Sequence, residues 1–197
     1  MRRILIVIDM QKDFIDGSLA NPDAQAIVKP MADLISRFSG DIIFTRDTHG
    51  YDYLNTAEGK KLPIEHCIDG TAGWTIHQDL VDSARKSHPD MSRVYVFNKT
   101  TFGAGSALAS QINCSCCAAS LIDSAVIYVC GTCTDICVVS NVLGLKEQFP
   151  ETKICVIEDL CAGLTKEKHN AAIEVMKSCQ VDIISSKDVV CGDKNND

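Results

Sequence analysis

The stretch AVIYVCGTCTDICVVSNVLGLK, residues 125–146, decides the fold. It opens on a continuous β-rich apolar run, turns at Gly131, and from Thr134 carries a helical pattern on through Gln148 and Phe149. A strand without polar alternation is one covered on both faces, as in a parallel sheet. A strand that passes at once into a helix is half of a β-α-β unit.

Outward from this stretch the same alternation repeats. Residues 3–9 (RILIVID), 41–47 (DIIFTRD), 93–99 (RVYVFNK), 125–131, 153–159 (KICVIED) and 181–185 (VDIIS) read as strands. Residues 23–38, 79–87, 134–148 and 166–179 read as helices, and 103–122 as a helix with an irregular turn. No internal repeat and no Pro- or Gly-rich linker interrupts the pattern. The expected fold is α/β: one domain over residues 1–190, with a parallel six-stranded sheet, helices on both faces and right-handed crossovers, in a Rossmann-like three-layer arrangement. Residues 191–197 are expected to form a flexible tail.

Composition narrows the function. The 197 residues carry a formal charge of −7, which argues against a nucleic-acid surface. The longest apolar runs fall short of a membrane span. The run after Arg3 stops at Asp9 and no small-residue cleavage site follows, so no export signal is expected and a cytoplasmic location is. Eleven cysteines would suggest disulfides in a small secreted chain. Here most lie in apolar segments of a larger domain and read as reduced core thiols. There is no G-x-G-x-x-G after the first strand, which excludes a dinucleotide site of the usual kind.

In open parallel sheets, ligands sit beyond the carboxyl ends of the strands. Asp9, Asp47 and Lys99 end the first three strands, and Cys137 falls in the first helical turn after the fourth. Asp9 follows five apolar residues and should be buried, either as a hydrogen-bonding turn residue or as a general base. Lys99 is either a solvated strand end or the cation that holds Asp9. Among the clustered cysteines, Cys130 reads as core and Cys133 lies in the turn. Cys137 sits where Thr134 would cap the helix, so the helix dipole should lower its thiol pKa. A zinc clip would need a second ligand pair with finger spacing. A redox Cys130–Cys133 pair would need its first Cys at a helix start, not inside a strand. In the polar segment after the second strand, Asp47, His49, Glu58 and His66 offer oxygen and imidazole ligands for Zn²⁺, Fe²⁺ or Mn²⁺. From spacing alone, a satisfied surface cluster is the default reading.

The blocks VIDMQKDF, TRDTH, HCIDGTAGW, NKTTFG and GTCTDICVVSNVLGLK, in this order, resemble those of the isochorismatase-like cysteine hydrolases, and within them most of all the nicotinamidases. The resemblance spans roughly residues 3 to 186. It implies a catalytic triad of Asp9, Lys99 and Cys137, and a cis peptide at Thr132–Cys133 that turns the Cys133 amide, with that of Cys137, toward an oxyanion. It also implies a divalent metal, zinc first, on Asp47, His49 and His66. Glu58 is the fourth ligand, unless Asn55, which stands where some members have a His, takes that place. The expected partner is a small-molecule amide, and the protein is expected to be a homo-oligomer that binds neither nucleic acid nor membrane. Phe14 is the candidate aromatic wall of the substrate site, or else a core residue, with Trp74 and Phe102 as further candidates. Three other readings stand beside this one: an N-carbamoyl or ureido amide as substrate, an isochorismate-type ether, or a redox-sensing thiol protein. The last is suggested by Cys114, Cys116 and Cys117, a cluster with no counterpart in the family pattern.

Overall fold

A computed structural model of the chain describes residues 1–116 and 119–189. The tail expected at 191–197 and Cys117 of the cysteine cluster lie outside the described residues. Six strands form one parallel sheet: β1 (Arg3–Ile8), β2 (Asp41–Asp47), β3 (Val94–Lys99), β4 (Val126–Thr132), β5 (Lys153–Ala162) and β6 (Asp182–Ile184). Their order is β3-β2-β1-β4-β5-β6. Ile4 to Ile8 of β1 are each fully buried, because β1 lies inside the sheet with helices over both of its faces.

The helices are α1 (Lys12–Ile15), α2 (Pro22–Ile35), α3 (Gln78–Ser87), α4 (Gly105–Gln111), α5 (Val139–Gln148) and α6 (Lys166–Ser178). The two longest helices each have a local reason to start. The Asn21 side chain accepts the Asp23 N–H, with Pro22 at the first helical position of α2. Thr165 caps α6 by accepting the Lys168 N–H. The chain winds from β1 outward through β2 and β3, then returns to β4 and winds the other way. Right-handed crossovers therefore put α2 and α3 on one face and α4, α5 and α6 on the other, in line with the α2–α3, α4–α5 and α5–α6 contacts. The order reverses between β1 and β4, so a crevice opens there at the carboxyl ends of the strands.

Three local features depart from the sequence reading. β5 runs on to Ala162, three residues past the expected end at Asp159 and past an irregularity in its pairing with β4. A short helix, α1, forms just after β1, where none was expected. Residues 103–122 break into α4, a π-helical turn at Ile112–Cys116 and a 3₁₀ segment at Ala119–Ser124. Among the described residues no helix is long and apolar enough to cross a membrane.

Gly131 sets how closely β4 approaches β1. Its φ of +126° lies where L side chains are strained, and a Cβ there would overlap the Ile8 backbone. Gly131→Ala should cost about 2–5 kcal/mol through strain and overpacking combined, read by urea denaturation. Unchanged stability would mean that the β1–β4 spacing is not held at this glycine.

Candidate active site

Four side chains meet at the crevice, delivered by neighbouring strand ends. Asp9 follows β1 directly, with φ at +47°, a left-handed turn that Asp tolerates better than most residues. Asp47 and Lys99 end β2 and β3 and stand opposite each other in register. Cys137 lies in a π-helical turn, Thr134–Val138, between β4 and α5. Lys99 Nζ lies 2.6 Å from Asp9 Oδ2, 3.5 Å from Asp47 Oδ1 and 3.6 Å from Cys137 Sγ. The Thr45 hydroxyl donates to Asp9 Oδ1 at 2.6 Å and accepts the Asp9 N–H at 3.1 Å. All four groups at the centre are buried.

Burial dominates the electrostatics. It raises the Asp9 pKa above the ordinary carboxylate value, although the neighbouring Lys99 charge opposes it. Burial works against the Lys99 ammonium too, but Asp9, Cys137 and Asp47 outweigh it and hold Lys99 charged. The Cys137 thiol is pushed well up, by burial first and then by the charge of Asp9. This corrects the expectation of a thiol acidified by the helix dipole. The helix opens with a π-helical turn, and desolvation of the sulfur exceeds any field at its start.

The turn before Cys137 contains a cis peptide, Thr132–Cys133. Cys133, not Thr134, is the N-cap, and the Thr134 hydroxyl is instead paired with His169 Nδ1 at 2.9 Å. The first π-helical bond runs from the Val138 N–H to the Cys133 carbonyl at 3.0 Å. The Cys137 N–H therefore lies in the turn whose donors precede the helical ladder.

Asp47, His49, Glu58 and His66 bring one donor atom each within 4.8 Å of one another. His49 Nε2 is 3.0 Å from Asp47 Oδ2 and 3.8 Å from Glu58 Oε1; His66 Nε2 is 3.7 and 3.8 Å from the same two atoms. Ligands at about 2.0–2.1 Å from a tetrahedral ion stand about 3.3 Å apart, so these separations fit one divalent cation. His66 Nδ1 donates to the Ile64 carbonyl at 2.9 Å, which leaves Nε2 as the lone-pair nitrogen facing the cluster. Burial disfavours charge on His66, yet the neighbouring Asp47, the Ile64 carbonyl and Glu58 outweigh it and raise its pKa. Asp47 is held well below the carboxylate range, because His49, His66 and Lys99 overcome its burial. Asn55 is exposed, whereas Glu58 brings its carboxylate into this group.

A cavity of about 190 Å³ joins the two clusters. Cys133, Cys137, Asp47, Glu58 and His66 line its polar end, and Phe14, Leu19, Leu62, Phe102, Ile136 and Leu164 its apolar wall. Phe14 and Phe102 thus stand where a substrate ring would pack. Trp74 is absent from the lining: its indole N–H donates to Thr48 Oγ1 at 2.8 Å and Arg46 covers its face at 3.5 Å.

Sequence reasoning missed several supports. The Gln11 side chain bonds the Asp47 backbone in both directions, and Thr45 orients Asp9. Asn141, fully buried, donates to the Cys137 and Phe102 carbonyls at 2.7 and 3.0 Å and accepts the Ala104 N–H at 2.9 Å. It ties the nucleophile's helix to the loop carrying Phe102. Gln11 could have been suspected, since a glutamine two residues beyond a buried strand-end Asp is itself headed for the interior. Thr45 and Asn141 carry no such signal.

Residues 3–188 match the isochorismatase domain, and the chain belongs to that family. It is 28% identical to the nicotinamidase/pyrazinamidase of Mycobacterium tuberculosis, over 93% of this chain and 99% of that protein. The structure of the pyrazinamidase/nicotinamidase of Streptococcus mutans superposes with a TM-score of 0.77 at 28% identity, covering 92% of this chain and 99% of that one. The Pyrococcus horikoshii pyrazinamidase, solved in complex with zinc, superposes with a TM-score of 0.75 at 24% identity, covering 94% and 99%. Within the family the chain stands with the nicotinamidases, and it is a hydrolase of amide bonds.

The ion pair at the centre makes a direct prediction. Lys99→Met leaves Asp9 buried without a counter-ion and should cost about 3–5 kcal/mol in denaturant titrations. Adding Asp9→Asn should recover much of that loss. Additive costs in the double variant would show that the two side chains do not depend on each other.

Proposed function

We propose that the chain hydrolyses nicotinamide, or a closely similar small neutral aromatic carboxamide, to the carboxylic acid and ammonia through a thioester on Cys137. The observation that carries this reading is a single cavity lined by apolar side chains together with Cys137, whose thiol lies against the Asp9–Lys99 pair, and with Asp47, Glu58 and His66 of the four-residue metal cluster. Among the described residues no Arg or Lys lines that cavity. An N-carbamoyl amino acid or an isochorismate-type substrate would bring a carboxylate into a cavity whose lining offers it no guanidinium or ammonium partner. That disfavours both alternatives.

In the proposed mechanism, Asp9 takes the proton from Cys137 as the sulfur attacks the amide carbon. The charge passes from carboxylate to sulfur and then to the carbonyl oxygen, where the Cys133 and Cys137 N–H groups receive it. Asp9 returns the proton to the nitrogen as the C–N bond breaks and ammonia leaves. Water then attacks the thioester, Asp9 takes the proton of the water, and it hands that proton back to the sulfur as the acid departs. A divalent ion on Asp47, His49, Glu58 and His66, zinc by preference for this nitrogen and oxygen set, would supply a Lewis-acidic, orienting centre beside the ring. Asn141 keeps Phe102 and Cys137 in register, so ring and thiol are positioned together.

The test is ammonia release from nicotinamide by purified, zinc-loaded protein. Cys137→Ala should lower the rate by about 10³-fold or more. Chelator treatment should abolish release, and added zinc should restore it. An N-carbamoyl amino acid should be a poor substrate. Full activity in Cys137→Ala would remove the thioester. No release by zinc-loaded wild type would remove nicotinamide and leave a different amide to be found.

A further inference from the structure

The six residues from Asp9 to Phe14 do more than deliver the base. We propose that Gln11 and Asp13 are the positioning residues of the metal centre, an inference that rests on the metal reading above. The pairing of β1 with β2 ends at Val7 and Phe44, while β2 continues to Asp47 paired with β3 alone. The backbone of Asp47 therefore has no strand partner on its β1 side. The fully buried Gln11 amide takes that place: its Oε1 accepts the Asp47 N–H at 2.7 Å, and its Nε2 donates to the Asp47 carbonyl at 2.9 Å. The same Nε2 donates to the Trp74 carbonyl at 2.9 Å, which uses its second hydrogen. Gln11 thus fixes the one residue whose carboxylate faces both Lys99, through Oδ1, and the two ligand histidines, through Oδ2.

Asp13 acts on the other ligand segment. Its Oδ2 accepts the Cys67 N–H at 2.8 Å. Cys67 follows ligand His66 directly and has a φ of +47°, a left-handed conformation that a residue with a Cβ adopts only when held. The Cys67 carbonyl in turn accepts the His49 N–H at 3.0 Å. Phe14 completes the frame, its ring 5.6 Å from that of His66. The ligands come from two separate segments, 47–49 and 58–66, and the 9–14 stretch is bonded to both. The segment that carries the base also holds the metal ligands, so a shift of either is transmitted to the other.

The readout is zinc affinity, measured by competition with a chromophoric chelator, beside the melting curve and circular dichroism of the metal-free protein. Gln11→Met and Asp13→Ala should each weaken zinc binding by about 10–100-fold, the usual consequence of losing an outer partner of a ligand. Gln11→Glu should be at least as weak, because a carboxylate cannot donate to the two carbonyls. Asp13→Asn keeps an acceptor for the Cys67 N–H and should restore most of the affinity lost in Asp13→Ala. Gln25→Met, which removes a side-chain bond to the Ile15 carbonyl away from the site, should leave zinc binding unchanged. If Gln11→Met and Asp13→Ala bind zinc within about threefold of wild type while melting earlier, both residues are structural only and the proposal falls. If Gln11→Met does not fold, the comparison of Asp13→Ala with Asp13→Asn decides. Wild type that binds no zinc would overturn the metal reading itself, and this inference with it.

Discussion

A lysine buried against an aspartate, 2.6 Å apart with both side chains almost wholly out of water, is the interaction on which the rest of the site depends. Neither ion could be placed there alone, since an unpaired charge in a protein interior is strongly unfavourable. The parallel sheet solves the placement. β1, β2 and β3 are neighbours in the sheet, so their carboxyl ends bring Asp9, Asp47 and Lys99 within a few ångströms without any long loop. In the proposed mechanism the pair also makes the proton transfer inexpensive. When the Cys137 proton moves to Asp9, the negative charge moves from oxygen to sulfur, and both atoms lie within reach of Lys99. No new charge is created in a dry site.

The cavity extends this economy to the substrate. Asp47, Glu58 and His66 of the proposed metal cluster line it, and most of its wall is apolar. In the proposed function a neutral amide with a flat apolar body enters at little desolvation cost, and both the thiol and the cation site it meets are set by which residues end which strands.

Much of this was legible in the chain. The continuous apolar runs gave the strands to within a few residues, and the strand ends marked Asp9, Asp47 and Lys99 because a charged residue closing a buried strand has to be received by something. What was not legible depends on three-dimensional pairing. Asn141 reads as an ordinary polar helix residue until the Phe102–Ala104 loop is seen packed against it. Trp74 reads as a wall residue until Thr48 and Arg46 are found to occupy it. The length of β5 escaped because its last residues follow Glu158 and Asp159, two charges that locally read as a strand end.

The thiols show most clearly why local pattern and final chemistry differ. Position at a helix start argued for an acidified Cys137, yet burial pushes this thiol up, as it does Cys67, Cys130, Cys133, Cys155 and Cys161. Acidity therefore does not single out the nucleophile among the cysteines. What separates Cys137 from these other buried thiols is that a lysine held charged by Asp9 lies 3.6 Å from its sulfur. Thiols whose proton has no base to receive it remain protonated and unreactive. Among the described buried thiols, Cys137 is thus the one placed against the Asp9–Lys99 pair, and in the proposed function that pair confers its reactivity.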